Sequence, residues 1–236
     1  MMKRVVVIVF FALLGVVAKA QSIYLVAVGI ADYPGTQNDL TLPVNDAKAI
    51  YRLYQKHFNA KAVLITDERA TKQHILNQAG RLFAQAKDED IVIFFFSGHG
   101  YPGGFAIYND YLDYGDVRSL FSVCKAANKM IFADACFSGD IRENKRDVSS
   151  RNQGVMLFLS SRDDEFSIEN PSMRNGFFTA CLLRCLKGGA DVNHDRIITA
   201  KELFTEVSKG VRRLSGDIQH PVMWGNFDDN MPVMKW

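Results

Sequence analysis

Apolar residues follow two rhythms along this chain, and the rhythms alternate. Mainly apolar runs lie within residues 22–30 (S-I-Y-L-V-A-V-G-I), 61–65, 90–97, 130–133 and 155–160. Runs of this length bounded by turn residues read as strands buried on both faces. Between them, apolar residues recur three and four apart, the spacing of one helix face. Residues 43–58 carry Val44, Ala47, Ile50, Leu53 and Tyr54 in that spacing, with Asn45 and Asp46 in the first turn. Residues 71–86 carry Ile75, Ala79, Leu82 and Phe83, with a cap near Asp67 or Thr71. Further helices are predicted over 116–127, 176–186 and 199–214.

The remaining stretches read as connections. Residues 31–42 are turn-rich, 100–114 irregular around Pro102, Gly103 and Gly104, and 161–175 an acidic loop. Residues 141–152 are polar and basic without apolar periodicity, which predicts a mobile loop. The tail, with Pro221, Trp224 and Pro232, is expected to add an edge strand. The β-α-β-α-β succession predicts an α/β fold around a mostly parallel sheet with right-handed crossovers. No internal repeat, low-complexity segment or second domain is visible.

The first twenty residues stand outside this pattern. Lys3 and Arg4 precede a short apolar core over residues 5–17, and Ala18-Lys19-Ala20 is a small-x-small cleavage site. That layout predicts a secretory signal peptide over 1–20, too short in its core for a membrane span, and a single domain over 21–236. No Cys follows the apolar core to carry a lipid anchor. The expectation is export to the periplasm or the extracellular space, as a soluble protein starting at Gln21. Export would also change the charge. The whole chain has 28 basic and 26 acidic residues, but Lys3, Arg4 and Lys19 leave with the leader, so 25 face 26 and the net charge is −1. No basic field remains to argue for nucleic acid. Four cysteines are present, at 124, 136, 181 and 185. Their spacing fits no small disulfide scaffold, and Cys124, Cys181 and Cys185 read as small buried hydrophobes.

Two apolar runs end in reactive side chains. Residues 130–139 read M-I-F-A-D-A-C-F-S-G, placing Cys136 at a strand exit two residues beyond Asp134. Residues 94–100 read F-F-F-S-G-H-G, placing His99 at another strand exit between two glycines. The glycine on each side of His99 would let a substrate approach the backbone closely. In open α/β sheets such exits are where ligands bind. If the two strands are neighbours, a thiol and an imidazole meet, which is the material of nucleophilic catalysis.

With F-S-G-H-G followed 37 residues on by D-A-C-F-S-G, the chain resembles the caspase-fold peptidases, and more closely the metacaspases and their bacterial relatives. The G-I-x-x-Y start, the L-P-V-N-D-A helix opening and the late G-F-F-T-A-C-L-L extend the likeness over nearly the whole mature chain. The resemblance implies a three-layer α/β/α sandwich with about six strands. It implies a cysteine endopeptidase with Cys136 as nucleophile, His99 as general acid/base, and the backbone N–H groups of Gly100 and Cys136 as oxyanion hole. It also implies that Asp46, Ser97 and Asp134 line the pocket for the residue before the scissile bond. Two carboxylates there favour Arg or Lys. The chain departs from true caspases, which carry Q-A-C-x-G at the nucleophile, where this sequence has Asp134.

Some readings stay open at this level. The basic loop offers Arg142, Lys145, Arg146 and Arg151 for self-cleavage or merely as solvated charge. Asp191, Asn193, Asp195, Ile197, Thr199 and Glu202 fit an EF-hand-type loop at positions 1, 3, 5, 7, 9 and 12, but Arg196 replaces the position-6 glycine. Asp110, Asp113, Asp116 and Glu143 are a second acidic set. The chemistry needs no cofactor, and Ca²⁺ is the one candidate. His57, His74, His194 and His220 lack zinc spacing. The expected partners are proteins or peptides with basic residues, and the metacaspase likeness favours a monomer over an edge-strand dimer. The competing readings are a caspase-fold scaffold with little or no activity and a same-fold transpeptidase.

Overall fold

The computed structural model describes residues 21–101, 103–122, 124–135, 154–162 and 172–235. The predicted leader and the basic loop at 141–152 lie outside the described residues, as does most of the acidic loop.

The apolar runs become the strands of one sheet. β1 (Ile23–Gly29), β2 (Lys61–Thr66), β3 (Ile91–Ser97), β7 (Asn128–Asp134) and β8 (Val155–Leu159) run parallel, with β10 (Val222–Trp224) antiparallel at the β8 edge. The order is β10-β8-β7-β3-β1-β2. The chain therefore starts in mid-sheet, steps to one edge at β2, then returns past β1 to build the other half. The direction reverses between β1 and β3, a topological switch point.

Successive side chains of a strand point to opposite faces, and the core divides accordingly. Ile91, Ile93 and Phe95 of β3 join Met130 and Phe132 of β7 beneath helices α1 (Pro43–Phe58), α4 (Phe177–Arg184) and α5 (Ala200–Leu214). Val92, Phe94 and Phe96 face the other way, against α2 (Lys72–Phe83) and α3 (Tyr114–Ser122). The result is the expected α/β/α sandwich with a mostly parallel six-stranded sheet. α2 is capped by Thr71, whose hydroxyl accepts the His74 N–H at 3.4 Å. α5 starts with a capping box between Thr199 and Glu202.

Two segments depart from the sequence reading. Residues 100–114 are not irregular: β4 (Gly100–Tyr101), β5 (Gly104–Ile107) and β6 (Asp110–Asp113) form a three-stranded antiparallel meander. Its strands are two to four residues long, too short for an alternation to stand out around the glycines. The tail supplies two strands rather than one. Beyond β10, β11 (Pro232–Lys235) pairs with β9 (Ile197–Thr199) in a separate ribbon. Among the described residues, no helix is long and apolar enough to cross a membrane.

One close approach sets where α1 begins. A Cβ on Gly29, the last residue of β1, would lie 2.4 Å from the Pro43 carbonyl oxygen and 2.7 Å from Ala47 Cβ. Only a residue without a side chain lets the first turn of α1 rest on the strand end. Gly29→Ala is therefore expected to cost about 1–3 kcal/mol, the usual range for forced overpacking. The shift of the urea unfolding midpoint measures it; an unchanged midpoint would show that α1 can move freely off the strand.

Candidate active site

Strand register brings the site together. Gly29 pairs with Ser97, and Ser97 with Asp134, so β1, β3 and β7 end level at one edge of the sheet. From above, the first turn of α1 adds Asp46, and the start of α4 adds Asn175, Gly176 and Thr179. Asp46, Ser97 and Asp134 are 2 %, 1 % and 8 % exposed, so the three polar groups predicted to share a pocket do converge, and they do so out of water.

Each carboxylate is held by neutral donors. The Asp46 carboxylate accepts from the Ser97 hydroxyl at 3.0 Å, the Asn175 amide at 2.8 Å and the Gly176 N–H at 3.1 Å. Asp134 Oδ2 accepts from the Thr179 N–H at 3.1 Å and the Thr179 hydroxyl at 2.8 Å. Gly176 sits between the two acids. A Cβ there would lie 2.6 Å from Asp134 Oδ2 and 3.4 Å from Asp46 Oδ2, so both carboxylates reach the footprint of one methyl group. Burial first, and then the Asp134 charge, push the Asp46 carboxyl well above the usual carboxylate range.

His99 is held on the other side of Ser97. Its Nε2 lies 2.8 Å from the Asn38 carbonyl oxygen. A carbonyl only accepts, so Nε2 carries the hydrogen and Nδ1 is left to exchange a proton. The His99 backbone N–H donates to the Tyr33 hydroxyl at 2.9 Å, and that hydroxyl donates to the Ala106 carbonyl at 3.1 Å. The Tyr33 and His99 rings lie 4.9 Å apart. Loop 31–42 is fixed in turn: Asp67 accepts the Ala31 and Asp32 amides at 2.9 and 3.1 Å, and Asp39 accepts that of Tyr33 at 3.1 Å. Gly98 is hemmed in, since a Cβ there would lie 2.7 Å from the Tyr33 hydroxyl and 3.1 Å from Phe96. Its smallness serves packing, whereas the sequence suggested room for substrate at both flanking glycines. Gly100 opens β4 opposite Phe105. Beside His99 and Gly100 lies a cleft of about 510 Å³, bounded by loop 31–42 and the β5–β6 turn.

Other predicted groups fall elsewhere. Cys136 and the basic residues Arg142, Lys145, Arg146 and Arg151 lie outside the described residues, as does Glu143. Cys124, Cys181 and Cys185 are buried free thiols, and burial pushes the Cys185 thiol up to about 12. The acidic loop at 191–202 turns its oxygens onto itself. Asp191 accepts the Asp195 and Arg196 amides, each at 3.2 Å, Asn193 accepts the Asp195 amide at 2.9 Å, and Asp195 accepts the Ile197 amide at 2.8 Å. Glu202 is engaged by the Thr199 N–H and hydroxyl at 3.0 and 2.8 Å. Arg196 adopts φ 66°, making the turn expected of glycine. Asp113 and Asp116 face Lys72 Nζ at 3.9 and 2.6 Å. Among the described residues, no three His, Cys, Asp or Glu side chains are grouped so as to hold a metal ion.

Tyr33, Asn38, Asn175, Gly176 and Thr179 are site residues that sequence reasoning did not single out. Tyr33 and the segment starting at Gly176 were visible only as parts of G-I-x-x-Y and G-F-F-T-A-C-L-L.

The α/β/α sandwich, with His99 and a buried acid pair at its mid-sheet switch point, has the architecture of the caspase-like fold. The model of the family described as "Caspase domain" matches residues 24–231, and the chain belongs to that family. Among solved structures it is similar to a protein from Geobacter sulfurreducens (16% identity over 91% of this chain and 97% of that one, TM-score 0.68). It is also similar to caspase-1 from Spodoptera frugiperda (15% identity over 91% and 90%, TM-score 0.69). At such identities the likeness is one of fold. No curated protein matches the sequence.

The acid pair has a consequence for stability. A carboxyl whose folded pKa is raised contributes stability that is complete below its unfolded value near 3.8 and is lost as pH rises through the folded value. As pH rises above about 4, wild type should lose stability relative to Asp46→Asn, by at most about 1.4 kcal/mol per pH unit, until the folded carboxyl has ionised. Thermal melts of both proteins across that range test it; parallel curves would mean Asp46 ionises as readily folded as unfolded.

Proposed function

We propose that this protein is an exported, metacaspase-like cysteine endopeptidase that cuts after Arg or Lys. The observation that carries the specificity is the pair of buried carboxylates, Asp46 and Asp134, at the strand ends beside Ser97-Gly98-His99. A narrow acidic pocket attracts guanidinium or ammonium and repels a carboxylate side chain, the opposite of the Asp preference of caspases. Burial, and then the Asp134 charge, raise the Asp46 carboxyl, and a bound cation opposes both, so substrate binding and Asp46 ionisation are linked.

The chemistry follows from the residue types. The Cys136 thiol passes its proton to His99 Nδ1, and the resulting thiolate attacks the scissile carbonyl carbon, forming a C–S bond, while the carbonyl electrons move onto oxygen. The backbone N–H groups of Gly100 and Cys136 hold that oxyanion, a role worth about 10²–10³ in rate per donor. His99 delivers a proton from Nδ1 to the scissile nitrogen, the C–N bond breaks, and the amine leaves. Water then attacks the thioester, His99 takes its proton, and the C–S bond breaks to release the acid and the thiol. The Asn38 carbonyl keeps the ring oriented throughout by holding Nε2–H. No step is routed through a metal.

A fluorogenic panel with Arg, Lys or Asp before the scissile bond tests the reading, using protein beginning at Gln21, with and without Ca²⁺. Arg and Lys substrates should be cleaved and Asp ignored. Removing one carboxylate, as in Asp46→Asn or Asp134→Asn, should lower kcat/KM on Arg by a factor of about 30 or more, from the 2–5 kcal/mol typical of a buried charged partner. His99→Ala should lower kcat by about 10²–10⁴. Preference for Asp would sink the pocket assignment, and turnover surviving Cys136→Ala would remove the nucleophile.

The same specificity makes the segment 141–152 a substrate. Wild type incubated alone should acquire new N-termini after Arg142, Lys145, Arg146 or Arg151, and Cys136→Ala should not. Cuts that persist in the variant would rule out self-processing.

A further inference from the structure

The cleft beside His99 lies on the opposite side of the sheet from the acid pair. Asp46 and Asp134 sit at the start of α1 and α4, over one face. Tyr33, Ala106 and Ile107, which line the cleft, pack with the layer of the other face. His99, two residues beyond Ser97, stands between the acid pair and the cleft. In peptide cleavage the proton from His99 goes to the departing nitrogen. The chain that continues from this nitrogen leaves on the histidine's side, while the side chain before the bond enters the acid pocket.

The far wall of the cleft has a definite chemistry. It is made by Asp110 and Tyr111 at the start of β6. Asp110 is exposed, and its recorded bond is to the Tyr111 amide at 2.7 Å. The nearby cation, Lys72, is bound to Asp116 and Asp113. Tyr111 is 58 % exposed, a large apolar ring left in water. It is braced edge-on by Tyr101 at 4.8 Å, and Tyr101 donates to Asp113 at 2.6 Å. Apart from His99, no lining residue is basic. A carboxylate beside a fixed, exposed aromatic face suits a cationic side chain, which gains both an ion pair and a cation–π contact.

We propose that this cleft binds the segment after the scissile bond and selects Lys or Arg among its first few residues. The preferred substrates are then sequences with basic residues on both sides of the cut. This assignment rests on the peptidase reading above.

The test uses peptides with Arg before the bond and Ala, Lys, Arg or Glu at each of the three following positions, assayed with chelator present. An Arg-coumarin substrate, which has no residues after the bond, serves as the control for peptidase activity. Wild type should cleave the coumarin substrate and favour Lys or Arg over Ala at one following position by about three- to tenfold, the combined scale of an exposed ion pair and a cation–π contact. That ratio should fall towards one in Asp110→Asn and in Tyr111→Ala, and Asp110→Glu should restore it. Coumarin cleavage with no preference after the bond, or a preference that survives both variants, overturns the cleft assignment alone. No cleavage of either substrate class overturns it together with the peptidase reading.

Discussion

The site depends on three parallel strands ending level. Gly29, Ser97 and Asp134 are cross-strand neighbours, so the ladder fixes the spacing of everything beyond them. A slip of one residue would turn the side chains of β3 to the wrong faces, exchanging Phe95 for Phe94 and Phe96 between two packed layers. Both faces are apolar and full, so the register has no competing solution of similar energy. The polar groups at the edge inherit that rigidity: Asp134 and Ser97 project from strand ends that cannot shift, and α1 is seated against Gly29.

The sheet also separates two tasks. One layer, with α1 and α4, encloses the carboxylates, and the other carries Tyr33 and the β4–β6 meander. His99 lies at the switch point between them, where the crossovers diverge and leave an open crevice. Its orientation is set by groups from both directions of the chain. The Asn38 carbonyl comes from the β1–α1 loop, and the Tyr33 hydroxyl ties that loop to the meander through Ala106. The proton transfer proposed for His99 would gain from such bracing, because misplacement costs rate steeply.

The sheet and its helices were legible because burial on two faces leaves a continuous apolar signature, as in residues 91–96. Asp46, Ser97, His99 and Asp134 were legible through short motifs at strand and helix ends. The meander was not, since its strands of two to four residues give no period to detect. Asn175 and Gly176 were not, because their partner Asp46 is 129 and 130 residues away, and nothing local marks an amide as the donor to a distant acid. Asn38 was invisible for a different reason: it acts through its backbone carbonyl, which any residue would supply. Long-range pairing and main-chain roles are what a single sequence hides.

In the proposed reading, the buried acids connect stability to selectivity. Burial raises the cost of ionising the carboxylates around Gly176, their mutual repulsion adds to it, and the neutral donors Ser97, Asn175 and Gly176 offset that cost for Asp46 only in part, since its carboxyl remains shifted upward. Apolar residues of the same size would make a more stable edge. A cation entering the pocket reverses the sign of the interaction, turning a destabilising pair into a doubly charged receptor. In that reading, the cost of burying the two acids and the proposed selectivity belong to the same few atoms, and a change that removes one removes the other.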